Sequence, residues 1–142
     1  MTLLLVSVLG AIAAAVIGTL WYSMNTPMGK IHMTSIGFMN LSKEEQAAKI
    51  AEAKPHMWKS YLAQLALSCL TAGFIGFITT RVHKDAYMYV SMIWAAFVLP
   101  NIGSALLWGA VDRKIVWQKF FSDSLNSLVT LLAMAFIANL FF

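Results

Sequence analysis

The chain has 142 residues, of which 60% are hydrophobic and 11% charged, and a formal net charge of +4. A soluble domain carries about 25% charged residues, so a chain this size could not hide its apolar surface in water. The positive charge falls between apolar stretches, which points to membrane topology and away from nucleic acid.

Four apolar stretches account for most of the chain: residues 3–22, 60–80, 86–111 and 120–142. The first three contain no Asp, Glu, Lys or Arg, and the fourth only Asp123. At about 1.5 Å per residue, 20 helical residues span roughly 30 Å, the thickness of the bilayer hydrocarbon. The runs are continuous and not alternating, so they predict helices and not barrel strands. The expected fold is all-α: an integral membrane four-helix bundle forming a single transmembrane domain over residues 1–142. A short amphipathic surface helix is expected in the first loop, 23–59.

The first stretch lacks a basic leader and is too long for a typical signal-peptide core, so it is expected to remain as a helix. It carries Gly10, Ala14 and Gly18 at four-residue spacing, a small-residue face that lets another backbone approach closely. Trp21 and Tyr22 close it with amphipathic rings suited to the headgroup layer.

In the loop, residues 25–30 are turn chemistry, with Pro27 and Gly29. Ser42 and Glu45 form a capping box, Glu45 and Lys49 an i,i+4 pair, and Pro55 ends the run. That predicts a surface helix of about a dozen residues, a solvated connector or a docking element for a cytoplasmic partner.

The second stretch opens near Trp58 and Tyr61. It carries Gly73 and Gly76 as packing residues, and Ser60, Gln64 and Ser68 four apart. Such a polar row should face protein rather than lipid, for interhelical hydrogen bonds or for a permeation path. Cys69 lies mid-span and has no second cysteine to pair with.

The third stretch has Tyr87 and Tyr89 near its start and Trp108 near its end, and is interrupted at Pro100 and Asn101. Proline removes the amide that would bond the Ala96 carbonyl, so a kink is expected, with Asn101 free to bond into the gap or across to a neighbour. Broken helices near the midplane form substrate sites in many transporters and are also common in bundles that transport nothing.

The fourth stretch follows Trp117 and Lys119. Asp123 is an intramembrane acid, a functional suspect by default. Lys119 stands four residues before it, and a salt bridge at the interface is the simpler account. Asn126 completes a candidate polar site of Gln64, Pro100, Asn101, Asp123 and Asn126. The two halves also share a faint same-direction repeat, in which Trp58-Lys59 matches Trp117-Gln118-Lys119.

Lys30, Lys43, Lys49, Lys54 and Lys59 occupy the first loop, and Arg113, Lys114 and Lys119 the third. Arg81 and Lys84 occupy the second. Eight basic residues against two put loops 23–59 and 112–119 in the cytoplasm and both termini outside. The aromatic residues Trp21, Tyr22, Trp58, Trp108 and Trp117 then share one interface.

The histidines, His32, His56 and His83, all lie in loops, and no lysine lies in a span, which argues against a haem at the bilayer centre or a retinal Schiff base. No zinc-protease, nucleophile-elbow, paired-cysteine or phosphate-loop motif is present. The expectation is a protein that is not an enzyme and carries no cofactor or metal. Its expected partners are the bilayer and other membrane subunits or itself. The leading function is an accessory subunit or homo-oligomer acting through helix contacts. The alternatives are a small transporter or channel built on the candidate polar site, and lipid or quinone binding in a groove between helices.

Three patches carry a resemblance. They are residues 18–23 (Gly-Thr-Leu-Trp-Tyr-Ser) followed by Pro27-x-Gly29-Lys30, residues 97–100 (Phe-Val-Leu-Pro), and residues 117–121 (Trp-Gln-Lys-Phe-Phe). In these the chain resembles the bacterial family called domain of unknown function 1761, small proteins with four expected spans. It departs from that pattern at residues 112–114, where a Glu-Gly-Arg-like turn is expected, and at Asp123-Ser124, which replace a smaller, less polar pair. The resemblance implies a fold and a membrane location and supplies no catalytic residues; for a bacterial family the membrane expected is the inner one.

Overall fold

The computed structural model describes residues 1–82, 86–107 and 113–142, and every element among them is helical. In chain order these are α1 (Thr2–Trp21), α2 (Pro27–Ser35), a 3-10 turn (Phe38–Asn40), α3 (Lys43–Val82), α4 (Ala86–Ile93), a π-helical turn (Trp94–Val98), α5 (Leu99–Leu107) and α6 (Arg113–Phe141). Four rods are long and apolar enough to cross a membrane: Thr2–Trp21, Lys43–Arg81, Ala86–Ser104 and Arg113–Phe141.

Helices α1, α3 and α6 pack against one another; α4 lies on α6 and touches α3, and α5 lies on α6. The α1–α3 contact depends on small residues. A β-carbon added to Gly10 would come within 2.5 Å of the Ala72 methyl, and one on Gly73 within 2.7 Å of Ser7 Oγ. Gly76 meets Leu3 and Val6, so the two helices run antiparallel. Ala14 packs against the edge of the core, whereas Gly18 faces open space. The core itself is Val6, Ala72, Ile75, Ala86, Val90, Met134, Ala135 and Ala138. In lipid there is no hydrophobic gain in joining apolar faces, and close packing of such small residues is what holds helices together.

Two expectations about the first loop need correction. The turn-like segment at 25–30 begins a helix: Thr26 caps α2 by accepting from the Gly29 amide at 3.0 Å, and Pro27 occupies the first turn. Proline suits that position because its missing amide would have had no partner there. Pro55, in turn, does not end a short helix. The capping box forms as expected, with the Ser42 amide donating to Glu45 Oε2 (2.8 Å) and the Glu45 amide to Ser42 Oγ (3.2 Å). The helix it starts then runs unbroken to Val82. Pro55 leaves the Ala51 carbonyl without its amide, but residues 47–67 are exposed on every side, so that carbonyl is open to solvent. The short helix of the first loop is therefore α2.

The interruption of the third span takes a definite form. The backbone widens into one π-helical turn just before Pro100, with the Leu99 amide bonding back to the Trp94 carbonyl. Asn101 donates its Nδ2 to the Phe97 carbonyl at 2.7 Å, bonding back onto its own rod beside the proline. Trp94 ties this turn to α6, its indole N–H lying 3.0 Å from both the Ser124 carbonyl and Ser127 Oγ. A π-turn of this kind accommodates the proline ring without breaking the rod.

Candidate functional site

The polar side chains converge where α1 ends, α2 docks and α6 begins. The turn between α1 and α2 is tight: the Thr26 hydroxyl lies 2.8 Å from the carbonyls of both Trp21 and Ser23. Gly29 rests directly on the Ser23 carbonyl, and a β-carbon there would overlap it. This close approach turns α2 back across the N-terminal part of α6 and delivers His32 to it.

Asp123 is the centre of the cluster. Its Oδ2 pairs with Lys119 Nζ at 2.8 Å, one helical turn earlier on α6. Its Oδ1 accepts from the Tyr22 hydroxyl at 2.9 Å, and that oxygen accepts in turn from Asn126 Nδ2 at 3.3 Å. His32 Nδ1 lies 3.3 Å from Lys119 Nζ, and the His32 ring packs tilted on Tyr22 with centroids 5.0 Å apart. Beside them, Trp21 Nε1 donates to Ser122 Oγ at 3.2 Å. The Lys119 and Asp123 side chains are only about a fifth exposed. Asn126 Oδ1 is buried with no hydrogen-bond partner among the described residues.

The electrostatics follow from this geometry. Partial burial pushes His32 below the ordinary imidazole range, the Lys119 ammonium pushes it further the same way, and Asp123 opposes them. The cluster pairs an acidic with a basic side chain and sets an imidazole against the basic one. It can clamp three elements together, and it contains an acid and a base in hydrogen-bond contact. Among the described residues no three His, Cys, Asp or Glu side chains converge as a metal site would require.

Of the residues expected to form a polar site, Asp123 and Asn126 come together on the Tyr22 hydroxyl. Gln64 stands exposed on α3, and Pro100 and Asn101 are exposed on α5, with the Asn101 amide bonded to its own rod. Trp58 and Trp117 are exposed at the surface, while Trp21 and Tyr22 turn into the cluster. Trp108, Lys84, His83 and Asp112 lie outside the described residues. The sequence placed His32 in a loop and Tyr22 among the interface anchors. It had no local signal that joins either to Asp123, since their separations along the chain are 87 residues for His32–Lys119 and 101 for Tyr22–Asp123.

The family model described as "Protein of unknown function (DUF1761)" matches residues 5–139. The chain belongs to this family. Two of the three patches that carry the resemblance meet at the cluster: Trp21, Tyr22 and Gly29 from the first, and Lys119 from the last. The third, residues 97–100, straddles the end of the π-turn and Pro100. No curated protein and no solved structure matches the chain.

Proposed function

We propose that this member of the DUF1761 family is a non-enzymatic protein of the bacterial inner membrane. It works through helix–helix contacts, as a homo-oligomer or as an accessory subunit of a larger complex. In this reading both termini face outward and loops 23–59 and 112–119 face the cytoplasm, on the strength of the eight-to-two division of basic residues. One observation supports it above the others. The stretch of α3 from residue 47 to residue 67 is exposed on every side, including Tyr61, Leu62, Leu65 and Leu67 of the apolar span. Gln64 lies among them, about one turn inside the aromatic band of Trp58 and Tyr61. A polar amide there is far more comfortable against a hydrogen-bonding helix than against lipid.

The experiment is to solubilise the source membrane gently, isolate the protein at natural abundance, and determine its native mass and company. A stoichiometric set of other subunits makes it an accessory component. A homo-oligomer that weakens on Gln64→Leu makes α3 the seat of self-assembly. A monomer free of other proteins overturns the proposal.

A second reading, a small transporter, is favoured by the unpaired Asn126 oxygen beside the Asp123 network. Under that reading Asp123→Asn abolishes flux in reconstituted vesicles while assembly persists. If Asp123→Asn instead disturbs only stability or assembly, transport loses its central residue.

A further inference from the structure

The contact between His32 and Lys119 has a chemical direction. An ammonium group has three donors and no acceptor, so the Nδ1 atom that meets it must offer a lone pair. Lys119 Nζ also pairs with Asp123 Oδ2 at 2.8 Å, which points its remaining donors toward the ring. The contact is a hydrogen bond when the imidazole is neutral with its proton on Nε2, and a repulsion when the ring is charged.

We propose that His32 is a proton-operated latch. As a neutral imidazole it accepts from the Lys119 ammonium and holds α2 on α6; as an imidazolium it is repelled and releases α2. The groups that face it are Lys119 and Asp123 from α6 and Tyr22 from the end of α1. The 3-10 turn packed beside α2 (Phe38, Met39, Asn40) contributes no charge, and on α2 itself Lys30 adds a further cation. Asp123 draws a protonated His32 the other way, but its described bonds go to Lys119 and Tyr22 and none reaches the imidazole, so the nearest charged partner of the ring is the Lys119 ammonium. Thr26 and Gly29 keep the start of α2 tethered when the latch opens, so the movement is a hinging of residues 30–36 about a fixed turn.

The sign is determined by the environment of the ring. His32 binds its proton less readily docked than free, from burial first and from Lys119 second. The latch contributes its full stabilisation above the ordinary histidine value of about 6.5 and loses it as pH falls through the lower, docked value.

The test uses the full-length protein in nanodiscs. Imidazole nitrogen shifts at pH 7.5 should show His32 neutral and unprotonated at Nδ1, and its titration midpoint should lie below about 6.5. Hydrogen-exchange protection of the α2 amides, corrected for intrinsic rates, should fall about tenfold on acidification, the size of one charge-assisted hydrogen bond. His32→Gln keeps an acceptor that does not titrate, so its α2 protection should be independent of pH. An Nδ1–H tautomer or a charged His32 at pH 7.5 overturns the latch. So does α2 protection that is unchanged by acid in the native chain, or that falls equally in His32→Gln, which would assign the release to Asp123. If His32→Gln does not fold, the tautomer and midpoint of the unmodified chain decide the matter alone.

Discussion

Gly29 and Gly18 show how differently one residue type is used. Gly29 has no room for a side chain, because the Ser23 carbonyl occupies the place of its β-carbon. Gly18 faces empty space. Gly29→Ala should therefore loosen the α1–α2 turn, costing about 1–3 kcal/mol, as overpacking does. Gly18→Ala should be neutral or gain up to about 1 kcal/mol from helix propensity. Thermal unfolding of the two variants in the same detergent checks the contrast, and equal losses would show that the turn is not tight. The Lys119–Asp123 pair was legible from i,i+4 spacing alone, because both residues sit on one helix. Tyr22 and His32 were not, because their place on Asp123 and Lys119 depends on three elements meeting.

At the scale of elements, local rules succeeded where the signal was local and failed where exposure decided. The Ser42–Glu45 box formed as its four residues dictate, and Glu45 is held below the ordinary carboxylate range by accepting from the Ser42 amide and side chain. Pro55 was expected to stop the helix and did not, since solvent can serve the carbonyl it orphans. Pro55→Ala restores that hydrogen bond and should stabilise the exposed part of α3 by up to about 3 kcal/mol. Slower amide exchange over residues 51–58 is the expected result; faster exchange would mean the proline braces the helix. In the third span, the sequence foretold a disturbance at Pro100, but the π-turn lies upstream, at Trp94–Val98. The proline ring reaches back one turn, and the Trp94 indole pins the widened backbone to α6.

For the whole molecule, length and burial set the frame. At about 1.5 Å per residue, the 40 residues of α3 reach roughly 60 Å, twice the hydrocarbon thickness. Its N-terminal half therefore projects beyond the bundle on the side where Lys43, Lys49, Lys54 and Lys59 lie. The proposed orientation makes that side cytoplasmic. In a Cys69→Ala background, Lys49→Cys should react with a membrane-impermeant maleimide only after the cell membrane is opened. Thr2→Cys should react in intact spheroplasts. The reverse pattern would invert the topology.

The sequence by itself determined the solvent, the four long apolar helices, the capping box and the family, because each rests on composition or on residues a few positions apart. The tertiary structure alone decided which small residues touch, that α2 folds back on α6, and that His32, Lys119, Asp123 and Tyr22 form one cluster. Those contacts join residues about 60 to 100 positions apart, from Gly10–Ala72 to Tyr22–Asp123, and only the antiparallel packing of α1 against α3 and α6 brings their ends to the same place. Spacing along the chain carries no information about such a meeting, whereas helical period and apolar length do carry the rods that make it.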